Sequence, residues 1–303
     1  MTSKLKLGMI GLDTSHATAF AELLSDEGHR YHVPDGTVIA AYPGGSDDFE
    51  LSRSRVQGFT EELRQKYGVQ IVDSPEETAE QCDAILLESV DGRVHLEQFR
   101  RIVRYRKPVF IDKPFTVNAG EALEIIRLAE ANGVPVMSSS ALRFAEGVKQ
   151  AAADDEAGPI IGTDCYGPME LQPTQPGLFW YGIHSVEMLY TFMGLGCVSV
   201  TAATTAHHDV VTGIWEDGRI GTVRGSRCGN MTFGATVHRE KGSRPVDVYA
   251  HDKPYYASLL EQIMAFFRTG RSPVALSETW EIIRFIEAAN ESRSSGKAVR
   301  LRG

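Results

Sequence analysis

The stretch Leu5-Lys6-Leu7-Gly8-Met9-Ile10-Gly11-Leu12-Asp13-Thr14-Ser15-His16 limits the fold more than any other part of the chain. Leu5, Leu7, Met9 and Ile10 give it strand character, and Gly11 breaks the run where the backbone must turn sharply. Thr14 or Ser15 can cap a helix that carries Ala17, Ala19, Phe20, Leu23 and Leu24. A strand that enters a helix through glycine is the opening unit of a dinucleotide-binding domain. The Gly-x-Gly-x-x-Gly pattern is incomplete, however. Gly11 fills its first place, while Asp13 and His16 stand in the second and third.

The alternation continues. Strands are predicted over residues 37–42, 69–72, 83–88, 108–111 and 134–137, with helices over 50–67, 93–104 and 118–131. Ser74-Pro75-Glu76-Glu77 starts a further helix, with a cap, a proline in the first turn and Glu three residues after the cap. This order implies a doubly wound parallel sheet. After residue 139 the period changes. Helices are predicted over 141–153, 182–193, 255–268 and 277–292, and extended chain over 160–166 and 297–301. Alternating strands are predicted over 197–206, 209–216, 219–225 and 231–239, with Asp217-Gly218 as a hairpin turn. The fold class is therefore α/β: a Rossmann-like parallel sheet over residues 1–139, then an α+β domain over 140–303 with a large, mainly antiparallel sheet. The first is expected to bind a dinucleotide.

Composition excludes several functions. Lys and Arg number 31 against 40 Asp and Glu, giving 31 − 40 = −9, a poor match to nucleic acid or an anionic membrane. No apolar run reaches the roughly 20 residues of a spanning helix. Met1-Thr2-Ser3-Lys4 leads directly into the first strand without a secretory signal. Cys82, Cys165, Cys197 and Cys228 form no close pair, which suits a reducing cytoplasm. In the second sheet, Val198, Val200, Ala202, Met231, Phe233, Ala235 and Val237 would share one face. Ser199, Thr201, Ala203, Thr232, Gly234 and Thr236 would share the other, which is small and nearly uncharged. That face is expected to meet a second copy of the chain.

Taken together, the residues resemble the glucose–fructose oxidoreductase / inositol dehydrogenase (Gfo/Idh/MocA) family. The resemblance rests on Gly8-Met9-Ile10-Gly11, on Asp83-Ala84-Ile85-Leu86-Leu87 leading to His95, on Asp112-Lys113-Pro114, and on Gly182-Ile183-His184-Ser185-Val186-Glu187 closed by Met193-Gly194. It implies NAD or NADP on the first domain and a sugar, polyol or related small molecule held between the domains. It places Gly11, Leu12, Asp13, Thr14, Ser15, His16, Tyr42, His95, Asp112, Lys113 and Pro114 at the cofactor. It places Lys113, Trp180, Tyr181, His184 and Glu187 at the substrate. Lys113 matches the family lysine that orients substrate and nicotinamide, and His184 the family acid/base. Oxidising a secondary alcohol removes a hydroxyl proton as well as a hydride. Histidine titrates near neutrality, and a nearby cation stabilises the developing alkoxide.

Departures from the family pattern carry a competing reading. Trp180 stands where the family has an acidic residue, and Glu187 replaces an Asp as a residue expected to orient His184. Tyr42-Pro43 replaces the acidic residue that selects NAD, so the choice between NAD and NADP stays open; Ser46, Arg53 and Arg55 could reach a 2′-phosphate. A carboxylate at Asp13 about 5 Å from a pyrophosphate charge costs roughly 3 kcal/mol at an effective dielectric of about 20. It does so unless it points away, is protonated or is bridged by a cation. The second reading is thus a non-redox relative that binds a small ligand. Asp13, His16, His184 and Glu187 have metal-ligand chemistry, but no spacing supports a metal and none is expected. His207-His208 reads as a strand end, and Ser138-Ser139-Ser140 as the linker between domains.

Overall fold

The computed structural model describes residues 4–301. Met1, Thr2 and Ser3, on which the reading of a missing signal segment leans, lie outside the described residues. The chain divides into two compact units. The first holds residues up to Thr116, Gly120–Ser139 and Tyr256–Leu276, and the second holds Val117–Ala119, Ser140–Tyr255 and the chain from Ser277 on.

The first unit alternates β1 (Leu5–Ile10), α1 (Ser15–Ser25), β2 (Gly36–Tyr42), α2 (Glu50–Tyr67), β3 (Gln70–Ile71), α3 (Pro75–Gln81), β4 (Ala84–Leu87), α4 (His95–Ile102), β5 (Val109–Ile111), α5 (Ala119–Asn132) and β6 (Val136–Met137). All six strands are parallel in the order β3-β2-β1-β4-β5-β6. This is the doubly wound order, and its direction reverses between β1 and β4, where such folds bind ligands. Leu7, Met9 and Ile10 of β1 and every residue of β4 are buried, as strands covered on both faces must be. The helix starts hold as read. Thr14 Oγ1 accepts from the His16 N–H at 3.3 Å, and Ser74 Oγ from the Glu77 N–H at 3.2 Å.

One helix belongs to a different unit from the one the sequence suggests. A boundary at 139/140 leaves α8 (Tyr255–Thr269) in the second domain, yet nearly all of it packs with the first unit. Its Met264 fills the space left by the missing side chain of Gly36, and its Arg268 pairs with Asp35 at 2.6 Å. Amphipathic spacing tells that a helix has a buried face, not which sheet receives it.

The second unit adds α6 (Glu146–Ala153), β7 (Ile160–Pro168), α7 (Gly182–Met193), β8 (Cys197–Thr204), β9 (His208–Trp215), β10 (Ile220–Ser226), β11 (Gly234–Arg239), β12 (Gly242–Asp247), α9 (Leu276–Ser295) and β13 (Val299–Arg300). Its seven strands run β12-β11-β7-β10-β9-β8-β13, antiparallel except for β7 against β10. The hairpin β9–β10 turns at Asp217-Gly218, with Gly218 at φ 85°. The helix predicted over 141–153 divides instead at Ala145, whose extended ψ of 134° separates a 3-10 turn from α6. β12 has no signal in the sequence, because Gly242-Ser243-Arg244-Pro245 lacks apolar alternation. It is an edge strand, where proline is tolerated.

The predicted inner face needs correction at one end. Val200, Ala235 and Val237 are buried, but Met231 is 41% exposed and precedes β11. A bulge between Cys197 and Ser199 also shifts the register of β8. The outer face carries Ser199, Thr201, Ala203 and Thr236 as expected, joined by Ile214 and Ile220, which lie opposite each other at 43% and 52% exposure. The register also brings Asp164, Arg224 and His238 onto it, so it is not the nearly uncharged face that β8 and β11 suggest. No helix among the described residues is long and apolar enough to cross a membrane.

Candidate functional site

At the reversal point the chain leaves β1 through Gly11, at φ 89°. A Cβ there would fall 2.4 Å from the Ser89 backbone nitrogen, so only glycine fits. The Gly11 and Leu12 N–H groups donate to the carbonyls of Tyr42 and Pro43 at 2.9 and 2.7 Å, tying the turn to the end of β2. Asp13, fully buried, does not present a bare carboxylate. Its Oδ2 accepts from Ser52 Oγ at 2.6 Å and its Oδ1 from the Val90 N–H at 2.9 Å. Burial pushes its pKa above the ordinary value, against the lowering effect of those two hydrogen bonds. The first turn of α1 contains no acidic residue, so its N-terminal N–H groups keep their preference for anions. These observations fit a dinucleotide phosphate at this turn.

The residues considered for a 2′-phosphate are engaged elsewhere or exposed. Ser46 Oγ donates to Asp91 at 2.8 Å, Arg53 pairs with Glu50, and Arg55 is exposed. Arg93 joins Asp91 and Asp48, both at 2.7 Å, which fastens the loop after β2 to the loop after β4.

His16 does not extend into the turn. Its Nδ1 lies 2.8 Å from Asp112 Oδ2 and 3.6 Å from Glu88 Oε2, while its ring stacks on Phe20 and meets the edge of Tyr256. All three polar groups are buried. Burial alone would lower the His16 pKa, but the two carboxylates outweigh it and raise it to about 9. Burial raises Glu88 instead. Asp112 resists the same burial because His16 and Lys113 hold its pKa down. These three also form a compact set of possible metal donors. Residues 16, 88 and 112 converge through the sheet, not through sequence spacing.

Lys113 follows β5 and is 8% exposed, with its backbone N–H on Asp112 Oδ1 at 2.7 Å. Pro114 beside it is buried. His95, fully buried, sets both ring nitrogens against backbone carbonyls, Ser89 at 2.7 Å and Phe115 at 3.1 Å. It pins together the loops that follow β4 and β5.

In the second unit, His184 lies on the first turn of α7, half-buried, with its Nδ1 2.7 Å from Ser140 Oγ. Tyr181 and Phe233 stack nearly parallel on each other, and both meet the His184 ring edge-on. Glu187 has partners of its own. It pairs with Arg143 at 3.0 Å, and Arg143 also reaches Glu278 at 2.6 Å. Burial raises the Glu187 pKa and Arg143 opposes that rise. Trp180 is 5% exposed, a core residue more than a wall for a ligand, whereas Tyr181 is half-buried.

Sequence reasoning missed Glu88, Ser140 and Arg143. A charged residue directly after the four apolar residues of β4 was the available signal for Glu88. Ser140 reads only as linker, although it also caps the turn at Leu142.

Residues 5–140 match the GFO_IDH_MocA family model, described as an oxidoreductase family with an NAD-binding Rossmann fold. No curated protein matches the chain. Among solved structures, a probable dehydrogenase from Thermotoga maritima is 20% identical, with a TM-score of 0.80 over 98% of this chain and 99% of that one. An oxidoreductase from Agrobacterium radiobacter, in complex with NAD+, L-tartaric acid and magnesium, is 14% identical, with a TM-score of 0.80 over 99% of both chains. A scyllo-inositol dehydrogenase from Lactobacillus casei, with bound NAD(H) and scyllo-inositol, is 12% identical, with a TM-score of 0.81 over 99% of this chain and 100% of that one. At these identities the likeness is one of fold.

Proposed function

We propose, from the match of residues 5–140 to the Gfo/Idh/MocA oxidoreductase family model with its NAD-binding Rossmann fold, that the chain moves a hydride between NAD(H) or NADP(H) and a CH–OH group of a sugar, polyol or related compound. The observation that carries this reading is the withdrawal of the Asp13 carboxylate into hydrogen bonds with Ser52 and Val90. It removes the strongest objection to a phosphate at the Gly11 turn. The bound nicotinamide would accept or donate the hydride.

The residues of the chain supply the rest. The turn of residues 11–16 and the N-terminus of α1 hold phosphate, and Tyr42 ends the strand beside it. Lys113 brings a fixed cation to the reacting oxygen as it gains charge. His184 exchanges the hydroxyl proton, with Ser140 holding the ring through Nδ1, which assigns the exchange to Nε2. Tyr181 offers an aromatic face for a sugar-like ring. The cysteine pattern and the absence of a basic block favour a cytoplasmic enzyme that acts on small molecules. The outer face of the second sheet, where exposed Ile214, Ile220 and Tyr166 lie among Ser, Thr and Ala with Asp164, Arg224 and His238 interspersed, supports association with a second copy of the chain.

The test is thermal stabilisation by NAD, NADH, NADP and NADPH at millimolar concentration. At least one should raise Tm, and a matched panel of polyols and sugars should then yield turnover. No shift with any of the four would overturn the redox reading. If a cofactor binds, Lys113→Ala should keep the fold and lose turnover.

A further inference from the structure

We propose that His16, Glu88 and Asp112 form a site for one divalent transition-metal ion of the Zn2+ or Mn2+ class. His16 comes from the first turn of α1, Glu88 follows β4 and Asp112 follows β5, so neighbouring strand ends bring together three residues far apart in sequence. One donor atom from each lies within 4.8 Å of the others. The side chains are 6%, 0% and 1% exposed.

Their polar atoms are incompletely satisfied. Both carboxylate oxygens of Glu88 lack a well-formed hydrogen bond within the described residues, and His16 Nδ1 and Asp112 Oδ2 have only each other, at 2.8 Å, as a close partner. A buried carboxylate left this poorly satisfied is costly, and a cation at the common focus would satisfy all three groups together. The distances are compatible. With metal–ligand bonds of about 2.0–2.2 Å, a tetrahedral ion holds its donors about 3.4 Å apart. The His16–Glu88 separation of 3.6 Å already matches, the His16–Asp112 pair at 2.8 Å must open by about 0.6 Å, and the Glu88 and Asp112 donors, within 4.8 Å, must settle to the same spacing.

The surroundings are arranged as a metal's outer shell would be. The Lys113 N–H holds Asp112 Oδ1 at 2.7 Å and leaves Oδ2 to the cluster. Phe20 and Tyr256 clamp the imidazole, with ring centroids 5.4 and 4.8 Å away. One nitrogen and two carboxylate donors suit borderline divalent ions, and three protein ligands leave a coordination position for water or a ligand oxygen. This inference stands on the cluster alone and not on the redox reading.

The experiment uses untagged full-length protein purified without chelator, with metal content measured by mass spectrometry. The protein is then stripped and titrated with Zn2+ and Mn2+, followed by calorimetry and Tm. The expected result is about one ion per chain and a raised Tm, with affinity lowered about 100-fold or more in Glu88→Gln and in Asp112→Asn. Cys228→Ser, which removes a surface thiol 3.9 Å from His208, should bind as the parent does. Stripped parent protein that binds neither ion at about 100 μM, or variants that bind as tightly as the parent, would overturn the proposal. If the variants fail to fold, anomalous scattering from Zn2+-soaked parent crystals decides: a peak bonded to His16 Nδ1 supports the site, and zinc found only elsewhere overturns it.

Discussion

Asp13 Oδ2 accepts a hydrogen bond from Ser52 Oγ at 2.6 Å, which joins the turn after β1 to the first helical turns of α2. The side chain that looks most hostile to phosphate in the sequence thus serves as an internal brace. Its pKa lies above the ordinary 3.8, chiefly through burial. A carboxyl with a raised native pKa contributes stability that is complete below its unfolded pKa and is lost as pH rises through the native one. Asp13→Asn should therefore leave Tm at pH 7 unchanged or higher and flatten the fall of Tm as pH rises from about 4. A steeper fall in the variant would contradict this account.

The Ser140–His184 contact should be visible in kinetics. Ser140→Ala should cut kcat by about tenfold, a part of the 10²–10⁴ that general acid–base catalysis supplies. It should also displace the limb of the pH–rate profile assigned to His184, with KM little changed. Ser140→Thr, which keeps the hydroxyl, should restore both. A parent-like profile in the alanine variant would mean that Ser140 only caps its turn.

Arg143 stands between two carboxylates, Glu187 and Glu278, and is itself 10% exposed at the side chain. Arg143→Met keeps bulk and removes the charge. It should lower unfolding free energy by about 3–5 kcal/mol at pH 8, measured in urea. The loss should be smaller at pH 5, because the stranded Glu187 carboxyl, already inclined to protonate by burial, then takes up a proton.

Ile220 and Ile214 face each other on the uncovered side of β10 and β9. If that face joins two copies, Ile220→Glu should shift the mass in solution, read by light scattering after gel filtration, toward the 33.3 kDa of one chain. Tm at low protein concentration should stay nearly unchanged. A parent protein that is monomeric at all concentrations would remove the basis of this expectation.

Much of the architecture could be read because local signals and tertiary structure agree. Gly11, the Ser74-Pro75 helix start, the apolar runs of β1 and β4, and the glycines bounding α7 each dictate their own conformation. The failures lie where a decision is made at long range. The direction of the Asp13 carboxylate depends on Ser52 and Val90, 39 and 77 residues away. The destination of α8 depends on a groove at Gly36, and the role of Glu187 on Arg143 and Glu278. β12 escaped because an edge strand can be built from Gly, Ser, Arg and Pro once β11 offers it a ladder. The His16 cluster escaped for the same kind of reason, since its members meet only after β1, β4 and β5 align.

The return of α8 to the first unit has a consequence for biosynthesis. Gly36, Asp35 and His16 take their partners Met264, Arg268 and Tyr256 from a segment more than 200 residues downstream. A nascent chain on the ribosome cannot complete its amino-terminal half until most of the polypeptide has emerged. A fragment ending at residue 139 would carry an open apolar seat, and such a fragment invites aggregation.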